Sequence, residues 1–213
     1  LVIKFKIVGN LRFLSHAETA KVFQRACVRA GIKIKYSEGF NPRPKLSLPL
    51  PRPVGIESDD ELLCLRVSND LRETDIESRI IADLSTQLPE GCVLLSVIVD
   101  NANKSFQPCS ETYVLDVWEE FLNEKIKATI KRLLASESLN VQRRTGVRSS
   151  GPKIVDVRGF LKSIKLDQNS IIVECNVSPA GSIRVEEILN LLELDARKLR
   201  APIRRTNVQW QSN

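Results

Sequence analysis

Hydrophobic positions recur along this chain at two periods, and the switches between them mark its elements. From Val2 to Val8, Ile3, Phe5 and Ile7 alternate with Lys4 and Lys6, the pattern of a half-buried strand. Ser15 then opens a helix. Ser15 and Glu18 stand at capping-box spacing, and Gly31 fits the position just past the helix end. Ala20, Phe23, Cys27 and Ala30 follow helical spacing and predict the buried face, while Lys21, Arg25 and Arg29, each four residues apart, form a basic stripe elsewhere on the helix. Ile32 to Tyr36 alternates again, with Lys33 and Lys35 outward, and reads as a strand. Residues 37–55 hold Gly39, Pro42, Pro44, Pro49, Pro51, Pro53 and Gly55, which predicts a long, partly extended loop. Glu61 to Val67 is the next expected strand, Thr74 to Leu88 a helix with Thr74 as a candidate cap, and Cys92 to Val99 an apolar strand.

The resulting order is strand, helix, strand, strand, helix, strand, the ferredoxin-like or split βαβ plan. A linker is expected over residues 101–110. The second half repeats the plan: a strand over Glu111–Trp118, a helix over Glu119–Ser136, a strand over Leu139–Thr145 and a loop from Gly146 to Lys153. Val155 to Lys165 fits either a short helix or a strand. Ile171, Val173, Cys175 and Val177 alternate on one face, Ser182 is a candidate cap for a helix through Leu194, and Pro202 to Trp210 closes as a strand. The expected fold class is therefore α+β, with two tandem ferredoxin-like (βαββαβ) halves, antiparallel sheets and domains at 1–100 and 111–213.

Charge sharpens this picture. Between Leu11 and Pro53 nine Lys/Arg stand against two acids, an excess of seven in a chain whose net charge is +6. Residues 54–100 carry eleven acids and three arginines, and residues 140–165 seven Lys/Arg and one acid. Two basic segments flanking an acidic one are the electrostatic footprint of a nucleic-acid binder if the basic segments share a face. The alternative is separate, solvated faces. No apolar run approaches the length of a membrane span, and no signal-peptide layout opens the sequence, so a cytoplasmic location is the expectation. The five cysteines are scattered without a Cys-x-x-Cys pair, which predicts reduced thiols and no metal site.

Candidate chemistry is sparse. His16 is the sole histidine and directly follows the expected cap. It is a weak catalytic candidate, as a general base in RNA cleavage, or it binds phosphate at the helix start. Residues 37–45, SEGFNPRPK, combine turn formers with one aromatic and two cations. Phe40 there either stacks a base or fills the core, Tyr36 stacks or shapes the pocket, and Asn41, Arg43 and Lys45 complete a surface suited to RNA. Arg143, Arg144, Arg148 and Lys153, with Arg204 and Arg205, form a second basic set, either a phosphate contact or a solvated edge. No phosphate-binding loop, dinucleotide fingerprint or nucleophile elbow occurs, so no cofactor is expected and a non-enzymatic role is favoured.

The block LRFLSH, the helix after it, KYSEGFNPRPKLS and PVGIES together resemble the radical SAM-linked protein family, whose members lie beside or fused to a radical SAM protein. The match is closest over residues 2–67, and VDVRGFLKSI, AGSIRVEEIL and IRRTNV are compatible with it. The resemblance implies a radical SAM partner. The chain itself lacks the three-cysteine cluster motif. Carried onto this sequence, the family motif falls on Phe13, Ser15, His16, Tyr36, Ser37, Gly39, Phe40, Asn41, Pro42, Pro44, Lys45 and Gly55. Many relatives have histidine where this chain has Arg43. A permanently charged arginine there suits anion binding better than proton transfer.

The expected function is a non-catalytic accessory module that binds structured RNA, tRNA or rRNA, and presents it to the radical SAM partner. The residues assigned to RNA are Lys21, Arg25, Arg29, Tyr36, Phe40, Asn41, Arg43, Lys45, Arg143 and Arg144. One alternative is a scaffold that docks the radical SAM enzyme without RNA, with the acidic 54–100 segment as contact surface. Another is a metal-independent endoribonuclease using His16.

Overall fold

Strand β1 (Val2–Ile7) forms where its alternation predicts, with Ile3, Phe5 and Ile7 fully buried. The computed structural model describes residues 1–68, 75–100, 104–144 and 151–212. The chain divides into two units, Leu1–Gln107 with Trp210–Asn213, and Pro108–Gln209. The fold is mixed α+β, with four α-helices and mostly antiparallel strands among the described residues.

In the first unit, helix α1 (His16–Arg29) begins at a complete capping box. The Glu18 amide donates to Ser15 Oγ at 3.3 Å, and the Ser15 amide donates to Glu18 Oε2 at 2.8 Å, so two end donors are satisfied reciprocally. Gly31, at φ +70°, turns the chain just past the helix end. Phe23, Ala26 and Cys27 are fully buried, and the Phe23 ring meets Phe5 edge-on with centroids 4.5 Å apart. Burying each phenyl contributes on the order of 1.5–3 kcal/mol. This contact fixes α1 on β1.

The segment expected as a strand at Ile32–Tyr36 makes only single bridges, Ile34 to Val67 and Tyr36 to Pro44. Pro42 and Pro44 remove amide donors from the facing strand, so a continuous ladder cannot form. The regular strands that follow are β2 (Leu46–Ser47) and β3 (Glu57–Leu65). Helix α2 (Ile76–Ser85) is shorter than expected, and Thr74 lies outside the described residues. Strand β4 (Cys92–Ile98) completes the unit. The sheet order is β4-β1-β3, with β2 paired to β3.

In the second unit, β5 (Phe106–Asp116) begins inside the segment expected as a linker. The single helix expected from Glu119 breaks at Asn123, whose Oδ1 accepts from the Lys125 and Ile126 amides at 3.0 and 3.4 Å. Asparagine suits a cap better than a helix interior, so α3 runs Glu124–Ala135. The strand expected at 139–145 is present as β6 (Asn140–Arg144), but it pairs only with β7 (Pro152–Asp156), apart from the main sheet. Its expected place is taken by β8 (Leu161–Asp167). Strand β9 (Ser170–Asn176) follows as predicted, burying Ile171, Val173 and Cys175. Ser182 does not cap the next helix. The Arg184 amide donates to Glu187 Oε2 at 2.9 Å, and this acid three residues on sets the start of α4 (Val185–Leu191). Strand β10 (Arg204–Ser212) lies beside β5, and the strand order within this unit is β10-β5-β9-β8.

Candidate nucleic-acid interface

The Pro-rich segment of the first unit is built as a closed finger. At its root, the Lys35 amide donates to the Arg66 carbonyl at 2.8 Å, the Arg66 amide to the Lys45 carbonyl at 2.9 Å, and the Lys45 amide to the Lys35 carbonyl at 2.7 Å. Nearer the tip, the Ser37 amide donates to the Arg43 carbonyl at 2.8 Å, and the Arg43 amide returns to Ser37 Oγ at 2.9 Å. Residues 38–42 are thereby pinched into a turn. Gly39 takes φ +117°, a conformation side-chain-bearing residues rarely adopt.

The finger presents its side chains to solvent. Phe40, at its tip, has a relative exposure of 107%, so the alternative that it fills the core is overturned. Tyr36 is 43% exposed, and Lys33, Lys35, Asn41, Arg43 and Lys45 are all exposed. Within residues 33–45, four cations face the single acid Glu38. On α1, a shallow groove is lined by Lys21, Gln24, Arg25, Val28 and Arg29, with Val28 63% exposed. Arg29 has a second task. Its Nε donates to Gln87 Oε1 at 3.1 Å, and its guanidinium also reaches the Gln87 carbonyl, tying α1 to the segment after α2.

One of the nine cations between Leu11 and Pro53 is a structural centre of the first unit. Arg52 is 7% exposed. Its guanidinium donates to the carbonyls of Arg12 at 2.7 Å, Ile56 at 2.6 Å, Leu14 at 3.1 Å, Leu11 at 3.3 Å and Pro53 at 3.4 Å. It binds the 3-10 turn Gly9–Phe13 to the end of the Pro-rich loop, just before the Ser15 cap. The available signal was its position between Pro51 and Pro53, where the backbone offers few donors of its own. Beside it, Arg12 stacks over the exposed Phe13 ring, 4.3 Å from its centroid.

His16 is exposed at the first residue of α1. It lines a cavity of about 10 Å³ with Thr19, Leu48, Leu50, Arg52 and Glu61. Such a space holds on the order of one water. The helix start also carries an anion already: Glu18, whose carboxyl the Ser15 hydroxyl and amide hold below its usual range. A phosphate at His16 would meet that charge.

Of the second basic set, Arg143 and Arg205 are turned inward. Arg143 forms a two-pronged pair with Glu187, Nε to Oε1 at 2.7 Å and a terminal nitrogen to Oε2 at 2.9 Å, and donates to the Ser182 carbonyl at 2.7 Å. Burial works against the charge on Glu187, but Arg143 and the Arg184 amide hold its carboxyl below the usual range. The buried carboxylate thus requires the guanidinium expected to meet RNA. Arg205 is fully buried and donates to Glu111 Oε2 at 3.1 Å, while Tyr113 Oη donates to the same oxygen at 2.8 Å. Lys153 is exposed on β7. The side chain of Arg144 and the whole of Arg148 lie outside the described residues.

Three of the eleven acids of the 54–100 segment serve structure: Asp60 pairs with Lys4 at 3.1 Å, Asp59 with Lys6 at 3.4 Å, and Glu57 accepts from the Gly9 amide at 2.8 Å. All five cysteines are free thiols. Burial pushes Cys27 up to about 11 and Cys92 up to about 12, so neither is a ready nucleophile. Among the described residues no group of three His, Cys, Asp or Glu side chains is placed to hold a metal ion, and no helix is long and apolar enough to cross a membrane.

A family of uncharacterized proteins conserved in bacteria, DUF2344, matches residues 1–189. The chain belongs to this family. The match takes in the finger, α1 and the Arg52 clamp, so the features described for the first unit lie wholly within the DUF2344 region. No curated protein matches the chain.

Proposed function

We propose that this DUF2344 protein is a non-catalytic, cytoplasmic RNA-binding module that holds a structured RNA for a radical SAM partner. The observation that carries the reading is the finger: a hydrogen-bonded turn presenting Tyr36, Phe40, Asn41, Arg43 and Lys45 outward. Cations on a fixed ribbon suit phosphates, and exposed aromatics beside them suit bases. Lys21 and Arg25 on α1 supply further cations. Each unit is also read as ferredoxin-like. The orders β4-β1-β3, with β2 outside β3, and β10-β5-β9-β8 support that plan, with the β6–β7 hairpin as an insertion after α3. The radical SAM partner rests on the motif resemblance alone.

The test is fluorescence anisotropy with labelled RNA over a salt series. Arg43→Ala/Lys45→Ala should weaken binding and lower the salt slope by roughly 1.4, about 0.7 for each lost phosphate contact. Binding that is absent at low salt, or unchanged in the variant, removes the reading.

One observation favours a second role, as a protein scaffold. Strand β4 has one neighbour in the sheet order, carries no charged residue over Cys92–Ile98, and exposes Val93, Leu95 and Ile98 by 51, 44 and 53%. Such an edge invites an added strand. In contrast, β8, at the end of the second unit's strand order, exposes Lys162, Lys165 and Asp167. Recovery of the radical SAM protein from nuclease-treated lysate by the natural chain, but not by Leu95→Lys, would support this role.

A further inference from the structure

Resting on the RNA reading, we infer that the finger takes an unpaired nucleobase on Phe40, so its ligand is a loop, bulge or single-stranded end and not a continuous duplex. Three observations lead there. The phenyl ring is wholly exposed, at 107% relative exposure, although an aromatic side chain normally gains by burial. It is held out by a turn that the Ser37–Arg43 bonds close from both sides, with Gly39 in the left-handed region, so its exposure is a property of a constrained backbone. Cations stand on both arms of the finger, Lys35 on one and Arg43 and Lys45 on the other, all exposed.

The chemistry of the ligand follows from these groups. Cations alone would serve any phosphate backbone, double- or single-stranded. A bare phenyl at the tip adds nothing against a duplex, whose base faces are covered by their neighbours in the stack. In an A-form helix the deep major groove also excludes side chains. An unpaired base offers an open face, and stacking on it is sequence-tolerant because every base has one. The finger carries a single acid, Glu38, and its exposed Asn41, adjacent to Phe40, can donate to and accept from a base edge. A binding position of this kind also exposes the base for chemistry by another protein.

The test uses three labelled probes: a stem-loop RNA, the same stem as a blunt duplex, and the loop sequence as a free single strand. The natural chain is compared with Phe40→Ala, Phe40→Trp and Arg43→Ala/Lys45→Ala. Phe40→Ala should weaken the stem-loop and the single strand by about 5- to 150-fold and leave the duplex unchanged. Phe40→Trp should keep the affinity, and the cation variant should weaken all three. A 2-aminopurine in the loop should be quenched on binding, and the quench should vanish in Phe40→Ala. Equal effects of Phe40→Ala on all probes, or no quench at any loop position, overturn the inference while leaving RNA binding intact if the cation variant still loses affinity. Absence of binding to every probe at low salt overturns the RNA reading and this inference together. Binding of a protein or lipid surface that depends on Phe40, with no RNA effect, also overturns it.

Discussion

Replacing Arg52 by Met removes a buried guanidinium while keeping most of its apolar stem. Three of its carbonyl contacts are within 3.1 Å, to Ile56, Arg12 and Leu14. At about 1.5 kcal/mol for each charge-assisted bond, the lower end of the usual range, these three amount to roughly 4–5 kcal/mol. The longer contacts to Leu11 and Pro53, at 3.3 and 3.4 Å, are left out of that figure. Removing a buried charge recovers part of its desolvation cost, so the expected net loss is about 3 kcal/mol. That is a large share of the 5–15 kcal/mol typical of a domain. Arg52→Lys should fall between, because one ammonium cannot span carbonyls from two segments. The assay is urea unfolding followed by far-UV circular dichroism, with amide exchange on residues 9–20 to localise the effect. Exchange should accelerate at the 3-10 turn and the first turn of α1. A loss of only about 0.5 kcal/mol, the scale of an ordinary surface change, would refute the clamp reasoning.

Ser15→Ala removes the acceptor for the Glu18 amide and should cost about 0.5–2 kcal/mol in the same unfolding assay, with fraying confined to the start of α1. Glu111→Ala strips the fully buried Arg205 of a carboxylate and should destabilise by roughly 3–5 kcal/mol, whereas Tyr113→Phe, which removes one hydroxyl donor, should cost only about 1 kcal/mol. Because the Glu187 carboxyl is held below its ordinary value, its contribution is present above about pH 4.3, the value of an unfolded glutamate. That contribution is lost as the pH falls through the lower folded value. Glu187→Gln should therefore flatten the acid side of the stability–pH curve measured by urea midpoints.

Local signals were the most legible part of the sequence. The alternation of Ile3, Phe5 and Ile7 and the Ser15–Glu18 spacing depend on neighbours within a turn or a strand, and both appear as read. The second half was less legible because its pattern did not reveal which strands pair. Residues 139–145 are expected as a sheet strand, yet Asn140–Arg144 pairs only with β7, and Leu161–Asp167 takes the position beside β9. Among the site residues, the prolines and Gly39 mark a stiff loop over 37–55 but leave open whether Phe40 faces solvent or the core. The fate of the arginines did not follow from the sequence, since a cation's role depends on distant carboxylates and carbonyls. Glu187 lies 44 positions from Arg143, and Arg52 binds carbonyls about 40 positions away at Leu11, Arg12 and Leu14. No spacing rule marks such pairs, so the inward roles of Arg143 and Arg52 are not visible in the sequence.

The most direct measurement is crosslinking and sequencing of the RNA bound to the full protein in cells, with Arg43→Ala/Lys45→Ala alongside. Both residues are exposed on the finger, so the variant should fold and melt like the natural chain. The account predicts one enriched class of structured RNA, crosslinked at unpaired positions and lost in the variant. No enrichment over background, or enrichment that the variant retains in full, would contradict it.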